Sequence, residues 1–252
     1  SSSIFENNGD IILNSGFYIM GILIDSEGTQ FLSESQTRNK GKIIINSQQS
    51  IGIDFGQYQG GNVNENPYVV VYPGYVEVNG TNNYGVRVAN VFTGDLNYYA
   101  ASRIDGSSQG NGGIVVKGTK NVGLSLSKQI GANLIGNISN LNIILNGIEG
   151  IGILRRNDYA QTGNMVFTGT HIQNLDFEVN ASKSVLLRSD SGNITLDRNI
   201  TINKGLGNNV VLQANGTGTS VTNNTSRTIT LDTGATTSIG MLSSGSGSSE
   251  NK

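Results

Sequence analysis

The chain has no cysteine and no tryptophan, and only two prolines and one histidine among its 252 residues. Without cysteine there is no disulfide staple, no thiol nucleophile and no cysteine-built zinc cluster. A cysteine-free chain also suits export. Charge is equally sparse: 13% of residues are charged and the net charge is −2. Such a balance provides no basic field for nucleic acid or anionic lipid, and neither partner is expected. No apolar run approaches the ~20 residues needed to cross a bilayer, so direct membrane insertion is not expected. The opening SSSIFENNGD lacks the basic-then-apolar pattern of a secretory signal. The lone His171, in GTHIQN, has no local partner motif and reads as a surface or turn residue.

Against these absences stand 35 glycines and 33 asparagines. Both residues tolerate positive φ, and asparagine also bonds its own backbone in turns. Their distribution is periodic. NNGDIILNSGFYIMGILID at 7–25 is echoed by NKGKIIINSQQSIGIDFG at 39–56, and the motif drifts on through VEVNGTNNYGVRVANV (76–91), GGIVVKGTKNVGLSLS (112–127) and LNIILNGIEGIGILRR (141–156). One glycine recurs at Gly21, Gly52, Gly85, Gly123 and Gly152. Weaker copies occupy 175–190, 200–215 and 227–242, which makes eight units. A period of this size is the mark of a repeat architecture in which each unit buries its apolar face only against its neighbours.

Each unit holds two apolar runs of period 2, the pattern of half-buried strands, separated by a polar bend such as Asn79-Gly80-Thr81-Asn82-Asn83. Residues recur once per unit rather than mirrored about a turn, which favours a coil over a hairpin meander. The expected fold is all-β, a right-handed parallel β-helix of about eight rungs. In it Ile11, Ile43, Val76, Ile114 and Ile143 stack in a core column, with Phe177, Val179, Val185 and Leu187 inward in a later unit. Asn14, Asn46, Asn79 and Asn146 are expected to form an amide ladder at the bends. Residues 1–242 read as one solenoid unit with loop insertions near 56–75 and 92–111, and residues 243–252, SSGSGSSENK, as a flexible polar tail.

Candidate chemistry is thin. Acidic groups converging on a groove would suit a polysaccharide lyase or hydrolase, and Asp176, Asp190 and Asp197 are the candidates by position. The acidic residues are nevertheless scattered singly, which favours solvated surface charge. Calcium-binding β-roll repeats are missing, and no cofactor or metal motif is found. The inserted loops concentrate tyrosine, a residue suited to interfaces. Tyr58, Tyr68, Tyr72, Tyr98 and Tyr99, with Arg103, form the candidate ligand-contact set. The competing reading has those rings packing the loops onto the rod.

NNGDIILN, NKGKIIIN and the recurring SIGI and YGV steps resemble the passenger repeats of large bacterial type V autotransporter adhesins, those of fusobacteria in particular. The resemblance is good over residues 7–156 and looser beyond. It implies a right-handed β-helix stalk secreted through the outer membrane and displayed at the cell surface, where it meets host-cell or bacterial surface proteins or glycans. On that footing the chain is expected to be a monomeric, non-enzymatic passenger segment, extracellular and anchored through a C-terminal barrel outside this sequence. The alternative is a β-helix carbohydrate-active enzyme, a polysaccharide lyase or a tailspike-type glycosidase.

Overall fold

The computed structural model describes residues 4–25, 35–57, 69–90, 103–105, 113–127, 137–139, 141–156, 164–168, 172–173, 176–190, 192–197, 199–202, 207–232 and 235–251. Every regular element among them is a β-strand, and every pairing between strands is parallel. The strands stack into a β-solenoid of about five turns.

Three sheets carry the regular part of the stack, where each turn contributes one strand to each. The second sheet runs from Ile11–Leu13 through Lys42–Ile45, Tyr75–Val78, Gly113–Val116 and Asn142–Leu145 to Asp176–Val179. The third holds Met20–Asp25, Ile51–Gln57, Tyr84–Asn90, Val122–Ser127, Ile151–Arg156, Val185–Ser189, Val210–Asn215 and Ile239–Ser244. These two sheets are the paired runs read from the sequence. The expected count of eight rungs is not confirmed: the third sheet has eight strands, but the other two stop at six.

The first sheet was not foreseen. Its strands are Ile4–Asn7, Ser35–Asn39, Val69–Tyr72, Arg103–Asp105, Asn137–Ser139 and Ile172–Gln173. They are short, and apart from Val69–Tyr72 they mix in polar residues, so none carries the alternating apolar signal that marks the other two. Two fall inside the stretches expected to be inserted loops: Val69–Tyr72 within 56–75 and Arg103–Asp105 within 92–111. The polar tail is corrected in the same way. Ser248–Asn251 is a strand in parallel register with Ser220–Asn223, because a neighbouring rung supplies the backbone partners that the side chains do not advertise.

Ile43, Val76, Ile114 and Ile143 are wholly buried and consecutive in register, with Ile11 packed on the end of their column. Each such burial contributes roughly 1.5–3 kcal/mol. The recurring glycine lies opposite this column. Register places Met20 against Ile51 and Ile22 against Ile53, which brings Gly21 level with Gly52, and the same holds onward to Gly152. A Cβ on Gly21 would lie 2.7 Å from the carbonyl oxygen of Gly52. One on Gly52 would lie 2.6 Å from that of Gly85, one on Gly85 2.7 Å from that of Gly123, and one on Gly123 2.9 Å from that of Gly152. The same Cβ on Gly85 would meet Ile114 Cγ2 at 2.9 Å and Val78 Cγ2 at 3.1 Å. Each glycine is therefore required by the next rung and by the facing sheet.

At this corner two successive residues turn inward. In the sixth strand of the third sheet Leu186 occupies the glycine position and is fully buried beside Leu187. Val185, expected inward, is consequently half-buried on the outer face. The regular cross-section ends where glycine does. Beyond Gly152 the column continues as Leu186 and Val211, and new sheets appear: one of Asn164–Thr168, Asn193–Asp197, Ser220–Asn223 and Ser248–Asn251, and a pair of Ile200–Ile202 with Ile229–Leu231. Arg155 sits at this transition on the inner face, 1% exposed, with Nη1 donating to the Asn193 carbonyl. Its burial pulls the guanidinium pKa down to about 10.

Two polar ladders tie the bends. The outer one is the expected amide ladder: Asn46 Nδ2 donates to Asn14 Oδ1 at 3.1 Å and Asn79 Nδ2 to Asn46 Oδ1 at 2.9 Å. Lys117 follows Asn79 in register, so Asn146 instead receives Asn180 Nδ2 at 2.9 Å. The inner ladder is buried and was missed. The Ser50 N–H donates to Asn83 Oδ1 and the Asn83 N–H to Asn121 Oδ1, both at 2.8 Å. These two amides are tolerated in the interior because their Nδ2 groups also find carbonyl acceptors, those of Ser47 and Asn79 for Asn83 and those of Lys117 and Asn79 for Asn121.

Gly85→Ala should lower stability by about 1–3 kcal/mol, the usual cost of overpacking. Gly240→Ala, whose added Cβ would meet only Ile229 Cγ2 at 3.5 Å, should be tolerated. Chemical denaturation of the two variants checks this, and equal losses would contradict the steric account.

Candidate functional site

Of the six residues expected to contact ligand, only Tyr72 and Arg103 fall among the described residues. Tyr58, Tyr68, Tyr98 and Tyr99 lie outside those residues, as does His171. Tyr72 is not a loop residue: it ends a strand of the first sheet, half-buried, with the Arg38 guanidinium 5.7 Å from its ring centre. Arg103 opens another strand of that sheet, in register with Val70 and Asn137. The acidic candidates are dispersed. Asp176 belongs to a second-sheet strand and Asp197 to the later four-stranded sheet. Asp190 is engaged by Arg188 Nε at 2.6 Å and by Asn215 Nδ2 at 3.0 Å.

A different feature emerges on the outer face of the third sheet. Each bend into that sheet places one residue in the left-handed region, two positions before the strand. These are Tyr18, Gln49, Asn82, Lys120, Glu149, Lys183, Asn208 and Thr237, with φ between 51° and 61°. All eight are exposed, Tyr18 by 76%. Left-handed backbone costs roughly 1–2 kcal/mol for a residue with a Cβ, and only asparagine among these types is locally suited to it. A glycine- and asparagine-rich chain has thus placed tyrosine, glutamine, lysine, glutamate and threonine where its commonest residues would be cheaper. An outlier of this kind points to a use for the side chain.

Beside this column runs a partly apolar one made by the first strand residues, including Met20, Ile51, Tyr84, Ile151 and Val185. Between them lies a groove in two successive depressions of about 420 and 370 Å³. The first is lined by Tyr18, Gln49, Asn82 and Tyr84, with Arg87 and Arg156. Arg156 reaches back two rungs to donate to the Tyr84 hydroxyl, its guanidinium 5.4 Å from the ring centre, so the ring is held in place. Arg87 makes a two-pronged bond to Asp54, with Nε–Oδ1 at 2.9 Å and Nη2–Oδ2 at 2.6 Å. Asp54 is fully buried, and the arginine covers it. The second depression is lined by Lys120, Glu149, Lys183, Val185 and Arg188. Lys120 lies 3.8 Å from Glu149, while Lys183 has no carboxylate partner among the described residues.

The sequence singled out neither Tyr18 nor Tyr84 nor Arg156, and its bends read only as polar turns. The available signal was a column whose residue type changes from copy to copy while the neighbouring glycine and isoleucine positions repeat.

One titratable cluster lies on the second sheet. Glu77 accepts the Tyr75 hydroxyl at 2.7 Å and Asn79 Nδ2 at 2.9 Å, and pairs with Lys117 at 3.0 Å. Partial burial raises its pKa, but these three partners outweigh that and leave it below the usual carboxylate range. Tyr75 is pushed up to about 12 by burial first and then by Glu77. A carboxylate held ionised in this way suits a structural tie rather than a proton donor. No group of three potential metal-ligating residues occurs among the described residues.

In comparisons with known proteins, no protein family, no curated protein and no solved structure matches this chain.

Gln49→Gly, Lys120→Gly and Lys183→Gly should each raise stability by about 1 kcal/mol by relieving left-handed backbone, with Asn82→Gly near neutral. Denaturant midpoints decide, and a loss at the lysines would show that their side chains support the fold instead. Because its folded pKa is raised, Tyr75 contributes stability that is present below its ordinary value near 10 and lost as pH climbs through about 12. Ultraviolet titration should find this tyrosine ionising late, and earlier in Glu77→Gln.

Proposed function

We propose that this chain is a non-enzymatic segment of a secreted, surface-displayed bacterial autotransporter passenger. Its right-handed rod presents a lateral groove to proteins or glycans of host cells or other bacteria. The observation that carries the reading is the exposed bend column, where five residue types other than glycine and asparagine are kept at left-handed backbone on successive rungs. A rod needed only as a spacer would fill that column with glycine or asparagine. The repeat resemblance over residues 7–156 supplies the class, and the in-register stack supplies the means of holding a linear array of side chains. On this reading all eight strands of the third sheet are rungs, the last three differing in cross-section.

Immobilised protein should retain epithelial cells or bacteria saturably, and the triple variant Gln49→Gly, Lys120→Gly, Lys183→Gly should retain fewer while remaining folded. Release of reducing or unsaturated ends from acidic polysaccharides by the isolated chain would replace this reading with the carbohydrate-active enzyme.

A further inference from the structure

The groove on the third sheet has a chemical character that narrows its ligand. Its lining carries five cations, Arg87, Arg156, Lys120, Lys183 and Arg188, in a chain whose net charge is −2. Against them stand Glu149 on the rim, Asp54 buried beneath Arg87, and Asp190 beside Arg188. Among the described residues the lining is net positive, and its Asp54 carboxylate is hidden from an incoming ligand. One end adds the Tyr84 ring, steadied by Arg156, and the open Tyr18 ring, flanked by the side-chain amides of Gln49 and Asn82. Amides both donate and accept, and aromatic faces take up apolar C–H surfaces.

The groove lies on a sheet face, not at an edge. Its backbone N–H and C=O groups are committed to the rungs above and below, as in Ile51 N to Ile19 O, Tyr84 N to Ser50 O and Val122 N to Asn83 O. An extended peptide recognised by strand addition needs an unpaired edge, and among the rungs that line the groove only the terminal strand Met20–Asp25 has one. Along the rest of the groove recognition must run through side chains alone. A ligand rich in hydroxyls, with apolar ring faces and regularly spaced anionic groups, meets every feature of the lining.

From this arrangement we infer that the groove binds a linear acidic oligosaccharide laid along the rod, its rings against Tyr18 and Tyr84 and its anionic groups toward Lys120 and Lys183. The inference rests on the adhesive reading above and names the ligand class of that same site.

The test is calorimetric titration of the folded chain with oligogalacturonate, with neutral dextran oligomers of similar length, and with an Asp/Glu-rich peptide, at low and high salt. Saturable binding of oligogalacturonate, weakened by salt and absent with dextran and peptide, is expected. Tyr84→Ala and the substitution Lys183→Ser at an exposed bend should each weaken it by roughly tenfold. Lys183→Ser keeps the test decisive if Tyr84→Ala fails to fold. Equal binding of the acidic peptide, or oligogalacturonate binding untouched by Lys183→Ser, would overturn the inference. Cell retention without any oligosaccharide binding would overturn it and leave the adhesive reading standing. Loss of both would remove the two together.

Discussion

Each of the first four regular rungs omits one Cβ at the place where the next rung's carbonyl oxygen must lie. That exclusion, repeated from Gly21 to Gly123 at 2.6–2.9 Å, sets how closely the turns stack and how near the isoleucines of the second sheet come to the third. The rule is mutual, since a side chain at any one glycine would push on the rung beyond it as well as on the facing column. Repeat solenoids derive stability from neighbour interfaces, so a constraint passed from rung to rung governs the whole stack. Where Leu186 and Val211 fill the position, the three-sheet cross-section gives way to a different arrangement of sheets, with Arg155 buried at the seam.

A stack so fixed leaves little latitude in its strands. Variation is marked at the bends, where the backbone is held left-handed by its inter-rung hydrogen bonds, such as Gln49 N to Thr81 O, Asn82 N to Thr119 O and Lys120 N to Ile148 O. Each turn then projects one freely chosen side chain at the same point of its circuit. Successive choices line up along the rod and form the groove. The rigidity that makes the strands uninformative about function is what aligns these variable residues.

Much of this was open to sequence reading, because like residues stack on like. The glycine register, the buried isoleucine column and the Asn14–Asn46–Asn79 ladder follow from spacing alone. The first sheet did not, because segments such as SQTRN and RID carry no apolar alternation and gain their strand partners only from adjacent turns. Asn83 and Asn121 read as bend residues, yet both are fully buried, since rung-to-rung donors and acceptors satisfy their amides where no local rule could show it. Val185 was misplaced because strict alternation breaks at the corner where two residues turn inward. Tyrosine density drew attention to the inserted stretches, whereas the groove tyrosines, Tyr18 and Tyr84, belong to the repeat itself.

The central claim is that every copy of the motif advances the chain by one strand spacing along a single stack. The absence of cysteine allows paired spin labels to be introduced at will on the exposed bend column. Labels at Gln49 with Lys120, Lys183 or Thr237, two, four and six rungs apart by register, should give distances that grow steadily by about 4.8 Å per rung. Distances that fail to grow, or that return toward the start as in a folded-back sandwich, would contradict the account.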